Sequence, residues 1–243
     1  MTARAGLIIP SSNRMVEQEM ARYCSAGATL HVARLRMTGP HHVPLAQLLP
    51  RIEDATRTLT DAKCDVVAFH CTATSMEEGM AGEERVLAAV TRAGAPRATT
   101  TATAIRRAFA ALGARRIVLV TPYTARTTAE EADFLRAAGC DVLHAVGHAL
   151  GGSDAYCAAP PYFWRDRVIE AARREADAYL LSCANIAALG IIDELERRLD
   201  RPVVTSNQAA LWDSLARLGH TDVRSCPGRL FAAGTPAHQS GLS

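Results

Sequence analysis

The chain has none of the short signatures that would fix its chemistry by themselves. It carries no GxGxxG and no P-loop, so the usual glycine-rich cradles for dinucleotides and nucleoside triphosphates are missing. It has no CxxC pair and no HExxH, and a dedicated metal site is not expected. Gly151-Gly152-Ser153-Asp154-Ala155 fails the nucleophile-elbow pattern at its last position, where a glycine is required. There are no blocks of lysine and arginine, and the formal net charge is only +2, which argues against nucleic acid and membrane surfaces as partners. The longest apolar candidate, residues 178–192, is too short to span a bilayer and holds Ser182 and Asn185. Residues 1–5 lead straight into a strand-like run that is too short for a secretory core, so no signal peptide is expected. The seven cysteines are an odd set. Without an export signal they are expected as reduced thiols in the cytoplasm.

What the chain does have is apolar mass and an internal echo. Of its 243 residues, 49% are apolar, enough for a sizeable core in one or two domains. The buried-strand run 65–70 ends at Cys71, and small hydroxyl residues follow it. A second such run, 177–182, ends at Cys183. Upstream of each lies another apolar run ending in proline, Gly6-Leu7-Ile8-Ile9-Pro10 and Ile117-Val118-Leu119-Val120-Thr121-Pro122. Pro10 precedes Cys71 by the same distance as Pro122 precedes Cys183. A third pair, the stretches beginning at Thr100 and Ser206, stands equally far before Gly113 and Gly219. Three landmarks in one order argue for a duplicated half.

Along the chain, strands are expected at 6–10, 29–37, 65–70, 97–101, 117–121, 141–146, 177–182 and 202–205. Helices are expected at 17–23, 43–62, 76–91, 102–112, 125–138, 165–175, 190–199 and 207–218, with Pro50 ending or kinking the second. Residues 147–165 read as a loop, 226–231 as a turn and docking segment, and 234–243 as a frayed end. Regular alternation predicts an α/β fold of two pseudo-symmetric, Rossmann-like parallel-sheet domains. The expected division is 1–98, completed by 214–243, and 99–213. Ligands bind at the carboxyl ends of parallel strands, which puts Cys71 and Cys183 on opposite sides of one cleft.

Two thiols facing a planar carbon can attack it from one side and exchange protons on the other. Thiol pKa, about 8.5 in isolation, falls at a helix N-terminus, and both cysteines are expected in that position. Neutral donors for a carboxylate cluster near them in sequence: Ser11, Ser12, Asn13, Thr72, Thr74, Ser75, Tyr123, Ser182, Asn185, Ser206 and Asn207. Such donors are what an enediolate needs. Cys24, Cys64, Cys140, Cys157 and Cys226 read as ordinary core residues. His70 points to the face opposite Cys71 and reads as a packed histidine, His41 and His42 as exposed loop residues, and Glu77, Glu78, Glu83, Glu84 and Arg85 as a solvated helix face.

The chain resembles the aspartate/glutamate racemase superfamily, and within it the maleate cis–trans isomerase and arylmalonate decarboxylase group. The matching pieces are Gly6 to Asn13, the Cys71 segment, Val120-Thr121-Pro122-Tyr123, Leu181-Ser182-Cys183, and Pro202 to Trp212. The resemblance implies the racemase-like fold and a cofactor-free enzyme. In isomerases of this type the first cysteine, here Cys71, adds to maleate. A succinyl-cysteine enediolate forms, the former double bond rotates, and elimination gives fumarate. Cys183 holds the place of the second cysteine, the general acid and base. Asn13 and Tyr123 match positions that hold a carboxylate, and Ser11, Thr72, Ser182, Asn185 and Asn207 complete the expected substrate-binding set.

Related decarboxylases have glycine at the first cysteine, so both cysteines favour isomerase or racemase chemistry. Thr72 and Tyr123 would also suit the carboxylate-binding pocket of the decarboxylases, and the tail Pro227-Gly228-Arg229-Leu230-Phe231 resembles that branch too. The 147–165 segment departs from the isomerases, showing no counterpart of their asparagine. Its three aromatics, Tyr162-Phe163-Trp164, either pack the loop or line a pocket for a larger substrate. The leading expectation is maleate isomerisation. A racemase, an arylmalonate-type decarboxylase and a non-catalytic carboxylate-binding protein are the alternatives. The expected partner is a small carboxylate or dicarboxylate, with homo-oligomer formation left open.

Overall fold

The computed structural model describes residues 2–24, 28–37, 42–220 and 226–233. Among the described residues, eight short strands form two four-stranded sheets in which every pairing is parallel. The first holds β1 (Ala3–Pro10), β2 (Ala28–Leu35), β3 (Val66–Phe69) and β4 (Ala98–Thr100), in the order β2-β1-β3-β4. The second holds β5 (Arg116–Thr121), β6 (Asp141–Gly147), β7 (Ala178–Leu181) and β8 (Val203–Thr205), in the order β6-β5-β7-β8. The central strands read as unbroken apolar runs because both faces are covered by helices.

The sequence echo is a register. Ala5 faces Val66 and Ile117 faces Ala178, so the central strands of both sheets pair at one offset. That offset is anchored alike in both halves. The Arg4 N–H donates to Asp65 Oδ2 (2.8 Å) and the Arg116 N–H to Asp177 Oδ2 (2.7 Å), each across 61 residues. The third landmark shifts by one residue. The matched helix caps are Thr100 and Thr205, whose hydroxyls accept from the N–H groups of Thr103 and Gln208, rather than Thr100 and Ser206.

Most expected elements lie within a residue or two of their places, with three informative differences. The helix expected at 76–91 is two helices, Thr72–Met76 and Gly79–Arg92, parted where Gly79 takes a positive φ of 65°. Leu45–Asp61 runs straight through Pro50, because Leu45, Leu48, Ile52 and Leu59 all bury against the sheet. The 147–165 segment is not a loop throughout. It holds the helix Ser153–Ala158, and a second helix, Pro161–Glu170, starts at the paired prolines where a first-turn proline is at no disadvantage. Of the charged helix face, Glu83 is buried rather than solvated. It accepts from Thr100, Thr103 and Arg106, since it points at the edge of β4 instead of outward. The tail docks through the helix Arg229–Ala232, with Leu230 buried. His41 and residues 234–243 lie outside the described residues.

Each half lends a helix to the other. The helix Thr101–Leu112, which follows β4, packs Ala104, Ile105, Ala108 and Phe109 against Ile117, Leu119 and Leu180 of the second sheet. The helix Ser206–Arg217, which follows β8, packs Ala210, Leu211 and Leu215 against Leu7, Ile9 and Ala68 of the first. A buried polar chain ties the exchange together. His70 meets the Thr101 hydroxyl at Nδ1 and the Asn207 Oδ1 at Nε2, both at 2.9 Å. Asn207 Nδ2 donates to Glu19 (2.8 Å), and Glu19 accepts from the N–H groups of Ala188 and Leu189.

Two stability predictions follow from that chain. Asn207→Ala leaves the buried His70 Nε2 and the half-buried Glu19 Oε2 without their partner and is expected to remove about 2–4 kcal/mol, read as a lower urea midpoint. An unchanged midpoint would mean that the amide is dispensable. Burial pushes the His70 pKa down from 6.5 to about 4. The neutral ring therefore stabilises the fold fully above pH 6.5, and this contribution is lost as pH falls towards 4. A stability–pH series should show that acid loss in the native protein and a flatter slope over the same window in His70→Asn.

Candidate active site

The carboxyl ends of β3 and β7 meet at a small pocket lined by Cys71 and Cys183 from opposite halves. Cys71 is the N-cap of the helix Thr72–Met76, in extended backbone (φ −141°, ψ 106°). Cys183 opens the turn after β7, where the Asn185 N–H donates to its Sγ at 3.3 Å. The two thiols are 7% and 4% exposed. The pocket encloses about 40 Å³, room for a few waters or a small organic acid.

Of the other expected binding residues, Asn13, Thr72, Tyr123 and Asn185 line this pocket. Asn13 Oδ1 accepts from the N–H groups of Met15 and Val16, and its Nδ2 donates one hydrogen to the Ala184 carbonyl (2.9 Å). Asn185 Oδ1 accepts from the Arg14 N–H (2.8 Å) and the Cys157 thiol (3.1 Å). The Thr72 hydroxyl donates to Ser206 Oγ at 2.8 Å, so its hydrogen is directed away from a ligand. Ser11, Ser182 and Asn207 do not reach the pocket. Ser11 is exposed and donates to the Met37 carbonyl (3.1 Å). Ser182 lies on the opposite face of its strand from Cys183 and donates to Glu131 (2.7 Å), as a period of two requires. Asn207 is spent on His70 and Glu19.

Of the pocket residues outside the expected binding set, Ser12, Ser153 and Tyr156 carry polar side chains. Ser12 Oγ lies 2.8 Å from Ser153 Oγ, and Arg14 reaches the Ser153 carbonyl (3.1 Å) and Asp154 (2.7 Å), which ties the segment after β6 to the first half. Tyr156 stacks edge-on against Tyr123 with ring centroids 5.8 Å apart. Ser153 and Tyr156 stand three apart, the spacing of one helix face, and that was their signal in the sequence. The aromatic triplet packs the segment rather than lining the pocket: Trp164 is fully buried, Phe163 lies edge-on to it at 5.0 Å, and Tyr162 is exposed.

Tyr123 is held from three sides. Its N–H donates to Thr121 Oγ1 (3.1 Å), and the Thr121 hydroxyl meets that of Thr128 at 2.7 Å. Gly147 passes so close that a Cβ there would sit 2.6 Å from the Tyr123 carbonyl oxygen and 2.4 Å from Thr128 Oγ1.

The thiols are not activated as the helix-end argument expects. Burial pushes Cys71 up to about 11 and Cys183 up to about 12. Donors work against this, Thr74 at Cys71 and Tyr123 with the Asn185 N–H at Cys183, but desolvation outweighs them. Among the described residues no lysine, arginine or histidine lines the pocket, so no cation offsets the burial. Tyr123 is raised well above 10 and Tyr156 to about 12, both chiefly by burial, so both hydroxyls stay protonated at neutral pH. The site therefore offers two neutral thiols that a carboxylate approaches without meeting charge, with hydroxyl and amide donors around them.

Comparison with known proteins agrees with this architecture. The family model described as arylmalonate decarboxylase matches residues 5–231. A maleate isomerase from Geobacillus stearothermophilus is 28% identical over 236 residues, covering 88% of this chain and 91% of that protein. An arylmalonate decarboxylase from Bordetella bronchiseptica is 30% identical over 188 residues, covering 76% and 78%. Among solved structures, a mutant maleate cis–trans isomerase from Nocardia farcinica with a covalently bound succinylcysteine intermediate superposes with a TM-score of 0.88 at 25% identity, over 95% of this chain and 98% of that one. With the racemase-like two-sheet fold and a family match over nearly its whole length, the chain belongs to the arylmalonate decarboxylase family.

Proposed function

We propose that this protein is a cofactor-independent, two-cysteine isomerase that converts maleate to fumarate. The observation that carries the reading is the pair of thiols, Cys71 and Cys183, on one pocket. Relatives that share the fold are named maleate isomerases, and one was captured with a succinyl group on cysteine. In this reading the Cys71 proton passes to a carboxylate of maleate as the sulfur pair forms a bond to one alkene carbon. Cys183, itself a thiol, gives a proton to the developing enediolate and later takes it back. The alkene pair moves onto the neighbouring carboxylate as an enediolate, leaving a single bond that rotates. When that pair returns, the S–C bond breaks, fumarate leaves and Cys71 regains its proton.

Asn13, Tyr123 and Asn185 hold the carboxylates. Two neutral, desolvated thiols suit a dianionic substrate, because an existing thiolate would repel it. The cytoplasm is the compartment in this reading, since the chemistry needs reduced thiols, and all cysteines among the described residues are free. Among the described residues no helix is long and apolar enough to cross a membrane. The halves in this reading are 1–98, completed by 214–243, and 99–213, with the helix Thr101–Leu112 packed on the second sheet and Ser206–Arg217 on the first. Decarboxylation of a substituted malonate is the second reading. It is favoured by Tyr156, an aromatic wall against Tyr123.

Proton NMR of maleate incubated with the protein tests both. Fumarate should form with the native chain and fall at least about a thousandfold in Cys71→Ala and in Cys183→Ala. No fumarate from the folded, reduced native protein would exclude maleate. Carbon dioxide release from an arylmalonate, retained in Cys71→Ala and lost in Cys183→Ala, would establish the second reading instead.

A further inference from the structure

One buried acid next to the pocket has no part in the chemistry above. Glu131, on the helix Ala125–Ala137, is 1% exposed. Its Oε2 accepts from the Ser182 hydroxyl at 2.7 Å, and its Oε1 is buried without a hydrogen-bond partner. An ionised carboxylate would leave a charged oxygen unsolvated there, whereas a protonated one places its hydrogen on that oxygen. A negative Glu131 raises the pKa of Cys71, Cys183 and Tyr123 alike, so it is within electrostatic reach of all three.

The surroundings add little to oppose this. Its neighbour Glu130 pushes in the same direction. The helix Gly79–Arg92 offers Glu83, bound to Arg106, and Arg85, bound to Glu78. The helix Thr72–Met76 ends at Glu77, which also raises Cys71. On β6, burial and then Arg173 lower the His144 pKa, and Asp141 lies exposed at the start of the strand.

We propose that Glu131 is a positioning residue that sets the charge of the pocket: as a neutral acid it permits a single thiolate, and in its ionised form it opposes one. Burial holds its pKa up at about 8, so the neutral form prevails at neutral pH and the opposing form grows in above it. The proton leaves to solvent and no other bond changes. The proposal rests on the reading of Cys71 and Cys183 as the reactive pair, and it does not depend on maleate being the substrate.

The test is the pH profile of iodoacetamide alkylation at Cys71 and Cys183, resolved by peptide mass spectrometry, in the native protein, Glu131→Gln and Ser182→Ala. Near pH 6.5 the native protein and Glu131→Gln should react alike. Near pH 9 both thiols of Glu131→Gln should react about threefold faster or more, equivalent to half a pKa unit of released repulsion. Ser182→Ala removes the donor that favours the carboxylate and keeps Glu131 neutral to higher pH, so its profile should fall between the other two. The infrared band of a protonated carboxyl should be present at neutral pH, fade as pH rises through about 8, and be absent in Glu131→Gln. Superimposable profiles in the folded native and Glu131→Gln proteins, or no such band, would overturn the proposal; should Glu131→Gln not fold, Ser182→Ala and the band decide it. Shifted profiles in a protein that leaves maleate untouched would retain Glu131 and reject the substrate.

Discussion

Parallel pairing of the central strands at one shared offset is the constraint from which the site descends. Asp65 and Asp177 each take an N–H from the start of the neighbouring central strand. From there the register carries Pro10 level with Cys71, and Pro122 level with Cys183. A slip of one residue in either sheet would turn its cysteine to the opposite face and bury Ser182, or its counterpart His70, in the pocket instead. The chemistry is thus fixed by hydrogen bonds at the far end of the strands.

The ionisable groups that line the pocket are all weak acids. They are two thiols and two phenols, with the buried Glu131 carboxyl within electrostatic reach of them, and Arg14 is engaged with Asp154. Low dielectric makes each ionisation expensive and makes any second negative charge more so. Such a site holds itself neutral until a substrate brings charge with it, and its donors are arranged for that arrival. This differs from sites where a resident histidine or lysine keeps a thiolate ready.

Much of the fold could be read from the sequence because it is repeated: a short apolar run is ambiguous once and much less so when it recurs at a fixed interval. Both cysteines, Asn13, Tyr123 and Asn185 were legible for the same reason, at the ends of runs. Ser182 and Asn207 misled because proximity in sequence to a strand end says nothing of the face, and one points at Glu131, the other at His70. The thiol pKa values were out of reach, since burial by the opposite half outweighs the local helix end. Glu131 itself was hidden in an ordinary charged helix pattern. Only the packing of that helix onto the second sheet shows it to be internal.

The exchanged helices bear on how a molecule enters. Thr101–Leu112 and Ser206–Arg217 each bury apolar side chains on the sheet of the opposite half, and they cross the boundary on which a hinge would turn. Swinging the halves apart would strip both helices of their cores at once. The segment after β6 is fixed to the same frame, by polar links at Ser12 and Arg14 and by Tyr156 packed on Tyr123, after a turn at Gly152 whose φ of 92° suits glycine. The exchange thus makes the two halves one mechanical unit, and the cysteine pair sits in a frame that cannot widen without unpacking a core.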